Sequence, residues 1–371
     1  MLFWGSVYIY MPILAPYTKL VSGSLQSVGL VMGAYGLSQF LCRIPIGLWS
    51  DRLRRRKPFI LLGFLFDGLA CLGLIFSSNT VTLFFSFFTA GIAASMWVVF
   101  TVLFSSYFPL EQVFQSMSFI LFSLRLSQVI ANYAGGVVAE AWGWVAPFYV
   151  GTILSLAGLL LATGIAEHRP EKSGAASFRK LLLVGRNRLL LTVSVFATLL
   201  QFGTFSTTYG FTPIYAQQIG ASKEELGILL FSYMLPCTLA TLLSGTYLWR
   251  IRQERSFILA GFFLVTGAVF STPLVSRLDM LYAVQAANGI GVGLAFPLLM
   301  GLAIQPIPLE QQGTAMGFFQ SLYAAGMSLG PVISGFMGDH LGLPSIFILS
   351  GILCLLPAFF PWKNIPIVCR K

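Results

Sequence analysis

Apolar stretches of 18 or more residues recur along the whole chain, and only short polar breaks separate them. At 1.5 Å per residue, a helix of that length crosses the ~30 Å hydrocarbon core of a bilayer. Strands of a membrane barrel would instead show ~10-residue segments of alternating polarity. Composition closes the soluble alternative: 9% of the 371 residues are charged, whereas a soluble domain keeps roughly 25% charged residues to wet its surface. The sequence predicts an all-α integral membrane protein.

Apolar runs between polar breaks predict twelve spans, at about 1–18, 25–49, 58–77, 81–105, 114–139, 145–165, 189–215, 223–248, 256–275, 279–304, 313–338 and 343–362. Ser24 and Ser222 are placed to cap the second and eighth helices, and Ser222 with Glu225 has the spacing of a capping box. Met1 already lies in the first apolar run, with neither a basic segment before it nor a small-residue cleavage site after it. A cleaved signal peptide is therefore not expected. The cysteines, Cys42, Cys71, Cys237, Cys354 and Cys369, have no paired spacing and read as small core residues, implying neither disulfide nor metal.

The net charge of +10 comes from bases clustered in a few gaps, not spread over a face as nucleic-acid binding would need. With a cytoplasmic N-terminus, seventeen Lys and Arg face the cytoplasm, in loop 2–3, the central loop, loop 8–9 and the C-terminal tail. Only Lys19, Lys223 and Arg277 face the other side. The positive-inside rule then places both termini in the cytoplasm of a multi-pass protein of the plasma (inner) membrane.

The longest polar segment divides six spans from six. The expected organisation is a six-helix bundle at 1–165, a cytoplasmic loop at 166–188, a second bundle at 189–363 and a tail at 364–371. The halves match: "PLEQVFQSMSF" begins at Pro109 and "PLEQQGTAMGF" at Pro308, and in the same register Gly136, Glu140 and Gly143 meet Gly335, Asp339 and Gly342. Ser24 and Gly29 meet Ser222 and Gly227 in a register one residue different. Repeats of like orientation put a pathway at the interface between them.

One polar island, "GLWSDRLRRRKPF", stands between spans 2 and 3. It carries Gly47-x-x-x-Asp51-Arg52-x-Arg54-x-Arg56-Lys57. With this island and the duplicated spans, the chain resembles the major facilitator superfamily over essentially its whole length. That family's signature in this loop is Gly-x-x-x-Asp-Arg/Lys-x-Gly-x-Arg-Arg/Lys, from which Arg54 departs. The resemblance implies two pseudo-symmetric bundles that rock about a central cavity. It implies that Gly47 lets helix 2 approach helix 11 and that Asp51 meets the start of helix 11 near Gln312 and Gly313. Arg52, Arg56 and Lys57 would hold the turn at anionic headgroups; the bases taken alone read as an insertion anchor. The resemblance also assigns helices 1, 4, 7 and 10 to the cavity wall, whose polar and aromatic residues include Tyr8, Trp97, Gln201, Tyr209, Gln285 and Asn288. The antiporter signature on helix 5 is reduced to Gly135-Gly136, while helix 11 keeps Gly326, Gly330, Pro331 and Gly335.

Three charged residues fall within spans: Arg43, Asp67 and Arg125. Burial in hydrocarbon costs at least ~2.5 kcal/mol for each, so they should face protein or water. By helix rise, Arg43, Asp67 and Arg125 lie about 10, 14 and 17 Å from the cytoplasmic ends of their helices, so Asp67 can pair with either arginine. The alternatives for Asp67 are a structural pair with Arg43 and a proton carrier for the transport cycle. Arg125, Gln128 and Asn132 share one face of helix 5 by their spacing, which suits a substrate-facing or coupling role, or a bond between helices.

No Gly-x-x-x-x-Gly-Lys-Ser/Thr loop is present, so direct drive by ATP is not expected. The two histidines, His168 and His340, lie in loops, and no mid-span acid pair exists, which argues against an enzyme. The expected function is secondary active transport of a small-molecule substrate by a monomer in the lipid bilayer, driven by a proton gradient, with no cofactor. The alternative from another class is a membrane-embedded assembly factor or enzyme.

Overall fold

The computed structural model describes residues 1–53, 55–108, 113–167, 187–246, 253–305, 307 and 311–360. Among them there is no strand, and helices follow one another from end to end. Helix α1 is broken at Tyr10 into Leu2–Ile9 and Met11–Ser22. Then come α2 (Leu25–Leu53), α3 (Lys57–Ile75), α4 (Thr80–Ser95 and Trp97–Ser105), α5 (Val113–Trp142) and α6 (Ala146–Thr163). Helix α7 runs as Arg188–Ser206, a π-turn Thr207–Phe211 and Thr212–Gln218. It is followed by α8 (Lys223–Thr246), α9 (Glu254–Ser271), α10 (Leu278–Ile304), α11 (Gln312–Leu341) and α12 (Leu343–Leu355).

Seven helices of the described residues, α3, α4, α6, α7, α8, α9 and α10, are long and apolar enough to cross a membrane. Helix α1 comes in shorter pieces, since Pro12 and Pro16 withhold two backbone donors. Helices α2, α5 and α11 are long, but Gly, Ser, Gln and Asn dilute their apolar character. Large apolar side chains point outward, among them Leu160, Leu161, Ile153 and Phe85, a surface that suits lipid and not water. Inside, Ser and Thr hydroxyls bond back to carbonyls four residues earlier, as Thr18 does to Leu14 and Thr152 to Phe148. Helical membrane segments have to satisfy their polar groups internally in this way.

The first half of the chain packs α3 on α4 and α6, and α1 on α5 and α6; the second packs α8 and α9 on α10, and α7 on α11. The halves meet along two lines, α2 on α11 and α5 on α8. Glycines with positive φ end four of the turns, Gly23, Gly143, Gly220 and Gly342, between 76° and 98°. All four lie on the face away from the island, and the backbone conformation there excludes a Cβ without strain.

Candidate functional site

The face away from the island is sealed by backbone. Gly29 of α2 lies against the Pro331 carbonyl and Gly335 of α11, and Gly33 and Gly36 lie against Ser328 and Met327. On the other line, Gly136 of α5 meets Gly227 of α8, whose neighbours include the carbonyls of Asn132 and Tyr133. No side chain larger than hydrogen fits at these points, so helices approach as closely as their backbones allow.

Helix ends complete the seal. The capping box forms as its spacing predicts: Ser222 N donates to Glu225 at 2.7 Å and Glu225 N to Ser222 Oγ at 3.2 Å. Ser24 accepts from Ser27 N at 3.0 Å. Two acids then reach across the seam. Asp339, at the end of α11, accepts from Leu25 N and Gln26 N at 2.8 and 2.9 Å, and Glu140, at the end of α5, accepts from Lys223 N at 2.9 Å. Carboxylates suit the orphan N–H groups and positive dipole end of a helix. The sequence pairing of Glu140 with Asp339 thus becomes a reciprocal contact.

Toward the island the same helices part. A Cβ added at Gly47, Gly313 or Gly317 would meet nothing within 4 Å. Trp49, Leu53, Phe119 and Phe122 are half or more exposed. The expected close approach of Gly47 to α11 is therefore not made here; the tight glycine contacts sit at the opposite end of both helices. The Asp51 side chain and Arg54 lie outside the described residues. Arg52 is exposed, but Arg56 is buried at 9% exposure, and its N–H donates to Glu167. This corrects the headgroup role expected of Arg56. Lys57 Nζ donates to the Thr163 carbonyl at 2.6 Å, a cation closing the C-terminal end of α6.

Between the sealed and open ends lies an aromatic layer. Tyr8 of α1 and Tyr209 of α7 touch across the seam with ring centroids 6.2 Å apart, and Tyr209 touches Tyr233 of α8 at the same distance. Trp4 lies 5.9 Å from Tyr8 and 5.4 Å from Trp97. Tyr8 precedes the break in α1, and Tyr209 lies within the π-turn of α7. Pro12 lies four residues after Tyr8, beside the break at Tyr10, and Pro213 lies four residues after Tyr209, beside the π-turn. Each proline lacks the N–H that would serve the tyrosine carbonyl. Interrupted helices at matching places in two repeats mark the ligand site of such folds. This shared Tyr-x-x-x-Pro spacing, at Tyr8/Pro12 and Tyr209/Pro213, is a signal that the spans alone did not disclose.

The charged residues do not pair as depth suggested. Arg43, 5% exposed, donates to Tyr323 Oη of α11 at 3.0 Å and to Gln39 Oε1 at 2.5 Å, with its guanidinium 5.6 Å from the Tyr323 ring centre. Asp67, fully buried, meets Ser155 Oγ of α6, while Ser155 and Ser6 Oγ of α1 lie 2.9 Å apart. Its other oxygen has no partner. The Arg43–Asp67 pair is thus absent: α2 turns Arg43 toward α11, and α3 turns Asp67 toward α1 and α6. Arg125 keeps its predicted face, donating to Gln128 at 3.3 Å, with Asn132 Nδ2 bonded to the Gln128 carbonyl at 2.7 Å. Asn132 is sealed against α8 rather than open to a cavity. Asn288 donates to Thr208 Oγ1 at 3.0 Å; Gln285 is buried with Oε1 unpartnered, and Gln201 is half-buried.

A sequence model described as the Major Facilitator Superfamily matches residues 1–220 and again 194–366. An MFS-type transporter of Methanocaldococcus jannaschii is 22% identical over 95% of this chain and 93% of its own. A protein of Mannheimia succiniciproducens described as a probable sugar efflux transporter is 24% identical over 89% of this chain and 82% of its own. Among solved structures, an inward-facing, unoccupied bacterial homologue of the human lysosomal transporter Spinster superposes with a TM-score of 0.79. It shares 15% identity over 96% of this chain and 93% of that one, a likeness of fold. A helical multi-pass membrane chain matched twice by one family model, over nearly its whole length, belongs to the major facilitator superfamily of transporters.

Proposed function

We propose that this chain is a secondary active transporter of a small solute, working by alternating access between two six-helix bundles, 1–165 and 189–363. In this reading α1–α12 all cross the plasma membrane, loop 166–188 and tail 364–371 are cytoplasmic, and the island marks the cytoplasmic mouth. The observation that carries it is the one-ended seam. Glycine-to-backbone contacts and two cross-seam acids close one end, while Gly47, Gly313 and Gly317 stand clear at the other. A rocking carrier needs such an arrangement, and its reverse, at different points of its cycle. In the reverse state Gly47 and Asp51 close on the start of α11, and Arg52 and Lys57 steady the turn. The double match of the family model supports the repeat.

Proton coupling through Asp67 is part of the proposal. Ser6 donates to the Gly151 carbonyl at 2.8 Å. If Ser155 donates to an ionised Asp67, the Ser6 and Ser155 oxygens face each other at 2.9 Å with no proton between them. A proton on Asp67 supplies the missing one and lets all three contacts form. Ser6 stands on α1 between Trp4 and Tyr8, so the proton's presence is transmitted to the aromatic layer.

The test has two parts. Single cysteines at the two ends of the seam should exchange accessibility when substrate is added; a pattern fixed at both ends sinks the carrier reading. Asp67→Asn in proteoliposomes should abolish accumulation driven by a pH gradient while leaving exchange intact. Gradient-driven uptake at the wild-type rate would remove Asp67 from the coupling path.

A further inference from the structure

The described residues hold two cations deep within helices and one acid, and the acid serves neither cation. Every described acid other than Asp67 lies in a loop or within a turn of a helix end. Asp67 is enclosed by α1, α3 and α6 behind the aromatic layer. Arg43 has Tyr323 and Gln39 as partners. Arg125 has much less. Of the five N–H groups of a guanidinium, one makes a bond, a long one of 3.3 Å to Gln128.

The groups around Arg125 from the facing elements are Tyr8 of α1, Tyr209 of α7, and Tyr233 and Cys237 of α8, none of them a carboxylate. A cation at this depth without a counter-ion is costly and needs either water or an anion. A second donor stands beside Tyr8. Trp4 Nε1, on the turn before Tyr8, is buried and has no hydrogen-bond partner. Its ring meets that of Trp97 edge to face, at 70°, and the pair gives the same region an aromatic corner. A guanidinium with a single long bond and an indole N–H with no acceptor, beside a corner of aromatic rings, describe the complement of one kind of molecule.

We infer that the seam between the halves binds an organic anion with an aromatic body, its acid group on Arg125 and Trp4 Nε1 and its body against Trp4, Trp97 and Tyr8. This rests on the carrier reading for access to the site. The anion completes the charge of the seam, so neutral and cationic analogues leave Arg125 uncompensated.

Matched probes test it: benzoate, naphthoate and anthracene carboxylate, each beside its amide and its aminomethyl counterpart. Thermal stabilisation of the purified chain is measured for each. At least one carboxylate should stabilise the protein where its amide and amine do not. Arg125→Gln should weaken that binding by roughly 10- to 100-fold, the range for a bond to a charged group, with Arg125→Lys losing less. Trp4→Phe keeps the aromatic corner and removes the donor, and should weaken binding severalfold; it carries the test should Arg125→Gln fail to fold. The inference is overturned if no carboxylate binds, if amides or amines bind as well, or if both Arg125→Lys and Trp4→Phe bind as wild type. Flux in vesicles separates the two claims. Carboxylate binding with no flux of any probe overturns the carrier reading and leaves this site standing, whereas preferred flux of the amide or amine overturns the anion site alone.

Discussion

Arg43 shows how a buried cation is held without an acid. Its partners are a phenol, an amide and the face of the same aromatic ring, and its Nε has none. Tyr323→Phe keeps the ring and deletes the acceptor. Removing a partner from a buried charged group costs about 1–3 kcal/mol, so the variant should melt several degrees lower in detergent. An unchanged melting temperature would mean that the ring face alone holds the guanidinium. Sequence gave the depth of Arg43, Asp67 and Arg125 along their helices, because helix rise is fixed. It did not give rotation about the helix axis relative to neighbours, and rotation decides partners. Arg125, Gln128 and Asn132 were legible as one face because they share a helix; Arg43 and Asp67 were misread because they do not.

At the scale of helices, seven of the apolar runs fall on helices long and apolar enough to cross a membrane, and the caps at Ser24 and Ser222 fell where their side chains required. The break in α1 and the π-turn in α7 were missed, since an apolar run continues unbroken through Pro12 and Pro213. Small residues on α5 and α11 were legible as close-packing points, but not which helix each meets. Gly135 faces Ile9 of α1 while its neighbour Gly136 faces Gly227 of α8. A Cβ on Gly136 would stand 2.7 Å from the Gly227 Cα, backbone that cannot yield. Gly136→Ala should therefore hold the sealed end ajar without unfolding either half. A cysteine at Val332, which packs on Gly33, should label faster from that side in the variant, in a background free of other cysteines. Labelling at the wild-type rate would show that the two seams open independently.

At the scale of the whole molecule, few side-chain contacts hold the sealed end. Asp339 and Glu140 each satisfy helix-start donors of the opposite half, and losing such a cap costs about 1 kcal/mol. Replacing both with alanine should then move the open-to-closed ratio of that end by roughly 30-fold. Spin labels at Trp142 and Leu341, both exposed at the sealed face, should report longer and broader distances in the double variant. Unchanged distances would assign the seal to the glycines alone.

The reciprocity of those two acids has a further consequence. Each half lends the other a carboxylate and receives one at its own helix start, so the contact maps onto itself when the halves are exchanged. Subunits of a twofold homodimer meet in this isologous way. A single six-helix unit could therefore have met its own copy through the same clasp before gene duplication joined them, and the fused chain would have inherited a door at that end rather than having to invent one.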